Sequence, residues 1–267
     1  MISTIIRAPM PLGLTDKTLS RRLWHDFPWH SINGPGSRGT LFYDNFTKGL
    51  GQWTTFIDTG GSIAPSVDNT DDEFGAIDLI TDADDNQAVE LQAGQAGAMA
   101  KFVNPASAAH RDVFFEARFS LGAVVGSSFI GLMEYVTPAG DHITDSGVLR
   151  DSDFIGFATL EAAPTVLILT YKEEGSTVQV PIADFETLAA DEVVQAGFAY
   201  RPGRHAASKW VTAYENNVAH ATGITKAACQ ASTFPLNALM CPTIAVKNVT
   251  DITSMRVEWI AAGMMLA

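Results

Sequence analysis

The stretch Trp210-Val211-Thr212-Ala213-Tyr214-Glu215-Asn216-Asn217-Val218-Ala219-His220-Ala221 constrains the fold more than any other part of the chain. Trp210, Thr212 and Tyr214 alternate with Val211, Ala213 and Glu215, a period of two that lays each set on one face of a sheet. Asparagine tolerates positive φ, so Asn216-Asn217 supplies the primed turn that a two-residue hairpin needs.

Strands of the same kind lie on both sides of it. Val113, Phe115, Ala117, Phe119 and Leu121 form one face of a strand whose other face carries Phe114, Glu116, Arg118 and Ser120. Residues 128–136 and 154–160 are apolar on both faces, the pattern of central strands covered on two sides. Further strands are expected over 41–46, 53–57, 76–80, 88–91, 166–171, 177–180, 193–200, 243–246 and 255–261, with 223–239 read as a loop. About a dozen short strands without a long helix point to an all-β, two-sheet antiparallel sandwich. No composition break or fixed repeat follows residue 40, so 41–267 reads as one domain.

Residues 1–40 differ. Pro9, Pro11, Gly13, Pro28, Gly34, Pro35, Gly36 and Gly39 interrupt any long element, leaving only a short helix expected over 15–23. Yet Ile5, Ile6, Leu12, Leu14, Leu23, Trp24, Phe27 and Trp29 are costly to leave in water, each worth about 1.5–3 kcal/mol when buried. An irregular arm so rich in anchors has to dock, either on its own domain or on a neighbouring subunit.

The formal net charge of −13 opposes binding to nucleic acid or anionic membranes and suits a basic partner surface. No apolar run reaches the ~18 residues that span a bilayer, and the N-terminus lacks a signal-peptide pattern, so a cytoplasmic origin is expected. Cys229 and Cys241 read as two buried thiols rather than a disulfide.

Four segments, in this order, resemble the concanavalin A-like (lectin/glucanase) jelly roll. They are Phe42-Tyr43-Asp44-Asn45-Phe46 with Gly51-Gln52-Trp53, Phe114 to Phe119, the hairpin from Trp210 to Asn217, and Met255-Arg256-Val257-Glu258-Trp259-Ile260. A narrower likeness joins Ser20-Arg21-Arg22-Leu23-Trp24-His25-Asp26-Phe27-Pro28-Trp29, ahead of a jelly roll, to tailed-bacteriophage virion proteins of the head-decoration (cement) kind. This resemblance implies a protein of the capsid surface, assembled in the host cytoplasm. Its partners would be the major capsid protein and copies of itself, a trimer being expected. The eight arm anchors would be its contact residues. A glycan ligand is the alternative that the lectin side of the family implies.

Glycoside hydrolases of this fold carry Glu-x-Asp-x-x-Glu on one strand face, because retaining chemistry needs two carboxyl groups ~5–5.5 Å apart. Glu116 is followed by Arg118 and Glu134 by Val136, so no strand holds that pattern, and no enzymatic activity or catalytic residue is expected. Asp82-Ala83-Asp84-Asp85-Asn86 begins like a calcium loop but lacks its Gly and distal Glu; it reads as solvated acids. The six histidines show no ligand spacing, so neither a metal nor a cofactor is expected. Trp53, Trp210, Trp259 and Tyr214 could stack on sugar rings but read first as core. Arg201, Arg204 and His205 form a candidate polar contact loop.

Overall fold

A computed structural model of the chain describes residues 19–25, 27, 39–47, 49–65, 75–93, 111–123, 125–135, 142–202, 209–236, 238–249 and 251–266. Two antiparallel sheets face each other. The first runs in the order β13 (Val218–Thr225), β12 (Lys209–Glu215), β11 (Val194–Tyr200), β6 (Arg111–Ala123), β15 (Ser254–Leu266), β4 (Ile77–Ile80) and β3 (Ser62–Pro65). β1 (Gly39–Asp44) also pairs with β15, beyond the end of β4. The second sheet is ordered β10 (Gln179–Thr187), β9 (Ala163–Lys172), β8 (Phe154–Leu160), β7 (Ser127–Glu134), β14 (Met240–Lys247), β5 (Ala88–Ala93) and β2 (Trp53–Ile57).

Alternation explains the core. Val113, Phe115, Ala117, Phe119 and Leu121 of β6 share one buried cluster with Ile130 and Leu132 of β7, Ile155 and Phe157 of β8, and Leu167 and Leu169 of β9. Phe157 reaches Phe198 across the two sheets, with ring centroids 6.4 Å apart. The Asp44–Trp53 motif is a hydrogen-bonded unit rather than a loose pattern. Buried Asp44 accepts from the Phe46 amide at 2.8 Å and from Trp53 Nε1 at 2.7 Å, while Phe42 and Phe46 pack on the indole.

The central hairpin turns through Asn216 and Asn217 at φ 46° and 66°, the positive values its sequence implies. Its ladder shifts register at two points, between Lys209 and Val211 and between Thr212 and Tyr214. The first shift forms a bulge, so Trp210 joins Val211 in the inter-sheet core while Tyr214 packs on the outer face. Other departures follow from local geometry. β3, only four residues long, carries too short a pattern to read. β10 continues through Pro181 because it is an edge strand with two irregularities. β13 extends to Thr225, whose Oγ1 accepts from Ala228 N and starts the one-turn helix α1 (Lys226–Cys229) inside the stretch expected as a loop. Both cysteines are free and buried.

Candidate functional site

The second sheet turns one face to the inter-sheet core and the other outward. On the outward face β7 and β8 present Phe129, Gly131, Met133, Phe154, Gly156 and Ala158. Gly131 and Gly156 lie side by side, so close that a Cβ on either would fall 2.8 Å from the Phe129 ring. The absence of side chains makes room for that ring beside both strands.

A small hairpin, residues 142–150, covers this face. Ile143 bridges Leu149, and both are buried against Phe129, Met133, Phe154, Ala158, Ile168 and Ala245. Three strands pin it from below. Glu90 on β5 accepts from the His142 amide at 2.7 Å and contacts His142 Nδ1. Lys247 on β14 pairs with Asp145 at 2.8 Å and holds that carboxyl below its ordinary range. Ser127 on β7 donates to the Gly147 carbonyl at 2.9 Å. His142 is buried, and its Nε2 has no hydrogen-bond partner among the described residues. The Glu90–His142 pair spans 52 positions and leaves no local sequence signal.

The outward face of the first sheet is covered by residues 19–27. Leu19, Leu23, Trp24 and Phe27 are buried on Phe114, Ala199, Tyr214, Trp259 and Ala261. Trp24 stacks on Phe114 at 5.5 Å, and Phe27 meets both edge-on. At the centre lies Glu116, fully buried, accepting from Ser20 N at 2.9 Å, Trp24 Nε1 at 2.8 Å and Gln195 Nε2 at 2.9 Å. Burial pushes its carboxyl upward, against the pull of these donors. Arg201 is buried too, donating to the Leu23 carbonyl with its guanidinium 5.0 Å over Phe114. It therefore anchors the arm and leaves the polar contact loop expected of it; Arg204 and His205 lie outside the described residues. Of the eight arm anchors, Leu23, Trp24 and Phe27 thus dock on the chain's own sheet, while Ile5, Ile6, Leu12, Leu14 and Trp29 lie outside the described residues. Of the expected 15–23 helix only 19–23 are described, and they form a turn rather than a helix, closed by Trp24 N donating to Ser20 O at 3.0 Å.

Acidic groups gather across strands rather than along one. Glu134 at the end of β7 is raised by burial and by Asp153 and Glu174 nearby. Asp153, which precedes β8, is raised chiefly by burial and accepts from Glu174 N at 3.1 Å. Beside them Lys172 pairs with Asp151 at 2.7 Å. The Asp82 to Asn86 loop is closed by Asn248, whose Nδ2 donates to both the Asp82 and Asp84 carbonyls. Trp53, Trp210, Trp259 and Tyr214 are all buried, which keeps their rings from stacking on a ligand.

No protein-family model matches the sequence, and no curated protein resembles it significantly. Solved structures do. Peanut lectin, in complex with a nonamer peptide, superposes with a TM-score of 0.52 at 11% identity, over 86% of this chain and 98% of the lectin. An endo-β-1,4-glucuronan lyase from the fungus Trichoderma reesei gives 0.54 at 8% identity, over 83% and 94%. A Bacillus licheniformis β-glucanase gives 0.50 at 13% identity, over 83% and 97%. The fold is the concanavalin A-like jelly roll. The same comparison overturns the expectation that the chain has no enzymatic activity. That expectation rested on one missing strand motif, whereas a lyase and a glucanase share this architecture with a lectin. The scaffold alone does not separate binding from catalysis.

Proposed function

We propose that this chain is a structural virion protein that decorates and stabilises a tailed-phage capsid, binding the major capsid protein and neighbouring copies of itself. The observation that supports this reading best is that each broad face of the jelly roll carries a packed segment of the chain itself, 19–27 on one sheet and 142–150 on the other. A sandwich covered in this way offers turns, edges and its arm as contact surfaces. The described base of the arm is fixed in cis, so the anchors left for capsid or subunit contact are Ile5, Ile6, Leu12, Leu14 and Trp29. Many copies on a lattice gain by avidity even where each contact is weak. The test is to delete residues 1–18, leaving the docked segment intact, and to measure occupancy on undecorated heads. Occupancy falls on this account; undiminished occupancy with an unchanged melting transition contradicts the arm's role.

A second reading, glycan binding by the virion-borne domain, draws on the lectin likeness of the fold. It requires a sugar to bind outside the two covered patches. A glycan array with the full chain decides it. A hit abolished by substituting an exposed side chain supports this reading, and a blank array removes it.

A further inference from the structure

Exposed large aliphatic side chains concentrate at one end of the sandwich. Ile57, Val125, Val148, Val193, Val218 and Ile252 are each between 38% and 59% exposed. Strand register places them together. Lys247 of β14 pairs with Ser127 of β7 and Ala88 of β5, and Ile57 of β2 pairs with Val89. In the first sheet Ser254 of β15 pairs with Ala123 of β6 and Ile80 of β4, and Val194 of β11 pairs with Phe119. The turns that leave these strand ends, β2–β3, β4–β5, β6–β7, β10–β11, β12–β13 and β14–β15, therefore share one pole. Val148 belongs there as well, because Gly147 is held by Ser127 at the start of β7.

The same pole is acidic. Asp84, Asp85, Asp145, Glu161, Asp191 and Asp251 are exposed on its turns. None of 58–61, 81–87, 124–126, 144–148, 161–162, 188–193, 216–217 or 248–253 contains a Lys, Arg or His. Crowding of like charge is visible in the fold. Hydrogen bonding to Glu186 first, then burial and the charges of Glu186 and Glu192, push the Glu215 carboxyl up to about 7.

We infer that this turn pole, with its exposed aliphatics set among acids of which Asp145 is paired with Lys247, is a docking surface for a protein face that is apolar and basic. Exposed apolar side chains grouped in this way mark protein contacts, and charge complementarity supplies their orientation and speed. A second copy presenting the same pole would bring like charges together, so the occupant is a different surface. In the capsid reading, on which this step rests, that surface belongs to the major capsid protein.

The experiment uses the full chain and undecorated heads. Val148→Ser with Ile252→Ser removes two anchors, and Asp84→Asn with Asp85→Asn removes two charges. Val178→Ser with Val180→Ser, exposed on the β9–β10 side, serves as control. The first pair is expected to weaken binding about tenfold, the second to flatten the loss of binding with added salt, and the control to change nothing. Heads that the unaltered chain does not bind overturn the capsid reading itself. Unaltered binding by both pole variants, in a chain that still binds, overturns the docking surface alone. Self-association that the Val148→Ser, Ile252→Ser pair abolishes reassigns the pole to a second copy and overturns the inference.

Discussion

Glu116 and Glu215 put the same side chain to opposite uses. Glu116 is sealed under the arm, and its carboxylate collects donors from the Ser20 amide, the Trp24 indole and the Gln195 amide. Glu116→Ala takes the carboxylate acceptor from these buried donors, although Gln195 Nε2 keeps Ser20 Oγ at 3.1 Å, and each donor left buried without an acceptor costs about 1–3 kcal/mol. Denaturant unfolding is expected to show a loss of at least about 3 kcal/mol; a loss near zero contradicts the docking of 19–27. Glu215 instead shares an edge with like charges and is raised from its ordinary 4.5 up to about 7. Over that window the folded chain holds a proton that the unfolded chain has released. Glu215 therefore favours folding below its ordinary value and loses that contribution as pH rises towards about 7. Glu215→Gln is expected to flatten the fall of stability between about pH 5 and about pH 8, the rest of the slope belonging to Glu116, Glu134 and Asp153, which are raised too. An unchanged slope contradicts the crowding.

At the scale of elements, the 142–150 hairpin turns the outward face of the second sheet into a third core. Ile143→Ala is expected to cost about 2–4 kcal/mol in denaturant unfolding, as a large-to-small change in a packed interior. A cost below about 1 kcal/mol means the hairpin rests on the sheet without being part of it. How much of this is legible in the sequence follows from the range of the forces involved. The β6 alternation, the apolar β8 and the Asn-Asn turn are local, and each appears in the structure where its pattern places it. Bulges are not local in that sense. Trp210 leaves its own alternation because two residues oppose one across the ladder, which no pattern within the strand records. The polar clusters are further from reach. Glu90 meets His142, and Glu134 meets Asp153 and Glu174, only once loops have closed over a formed sheet. A search for acids along single strands could not find them, and the expectation of no catalysis leaned on that search.

On the scale of the whole molecule, a net charge of −13 is not spread evenly, since the turns at one pole hold several acids and no base of their own, Lys247 of β14 pairing with Asp145. Such a field steers a basic partner and repels a like pole, so association through it should slow and weaken as salt is added. A segment of the chain covers part of each sheet face, and the arm is rooted in cis at Trp24. Assembly is then assigned to the pole and to the arm anchors Ile5, Ile6, Leu12, Leu14 and Trp29. Direct imaging of the native particle by electron cryomicroscopy tests this most directly. The account predicts jelly-roll density on the outer shell, with the turn pole seated on major capsid protein and the arm anchors reaching a capsid or sister subunit. Shell density without the jelly roll, on a particle shown by mass spectrometry to contain the chain, would contradict it.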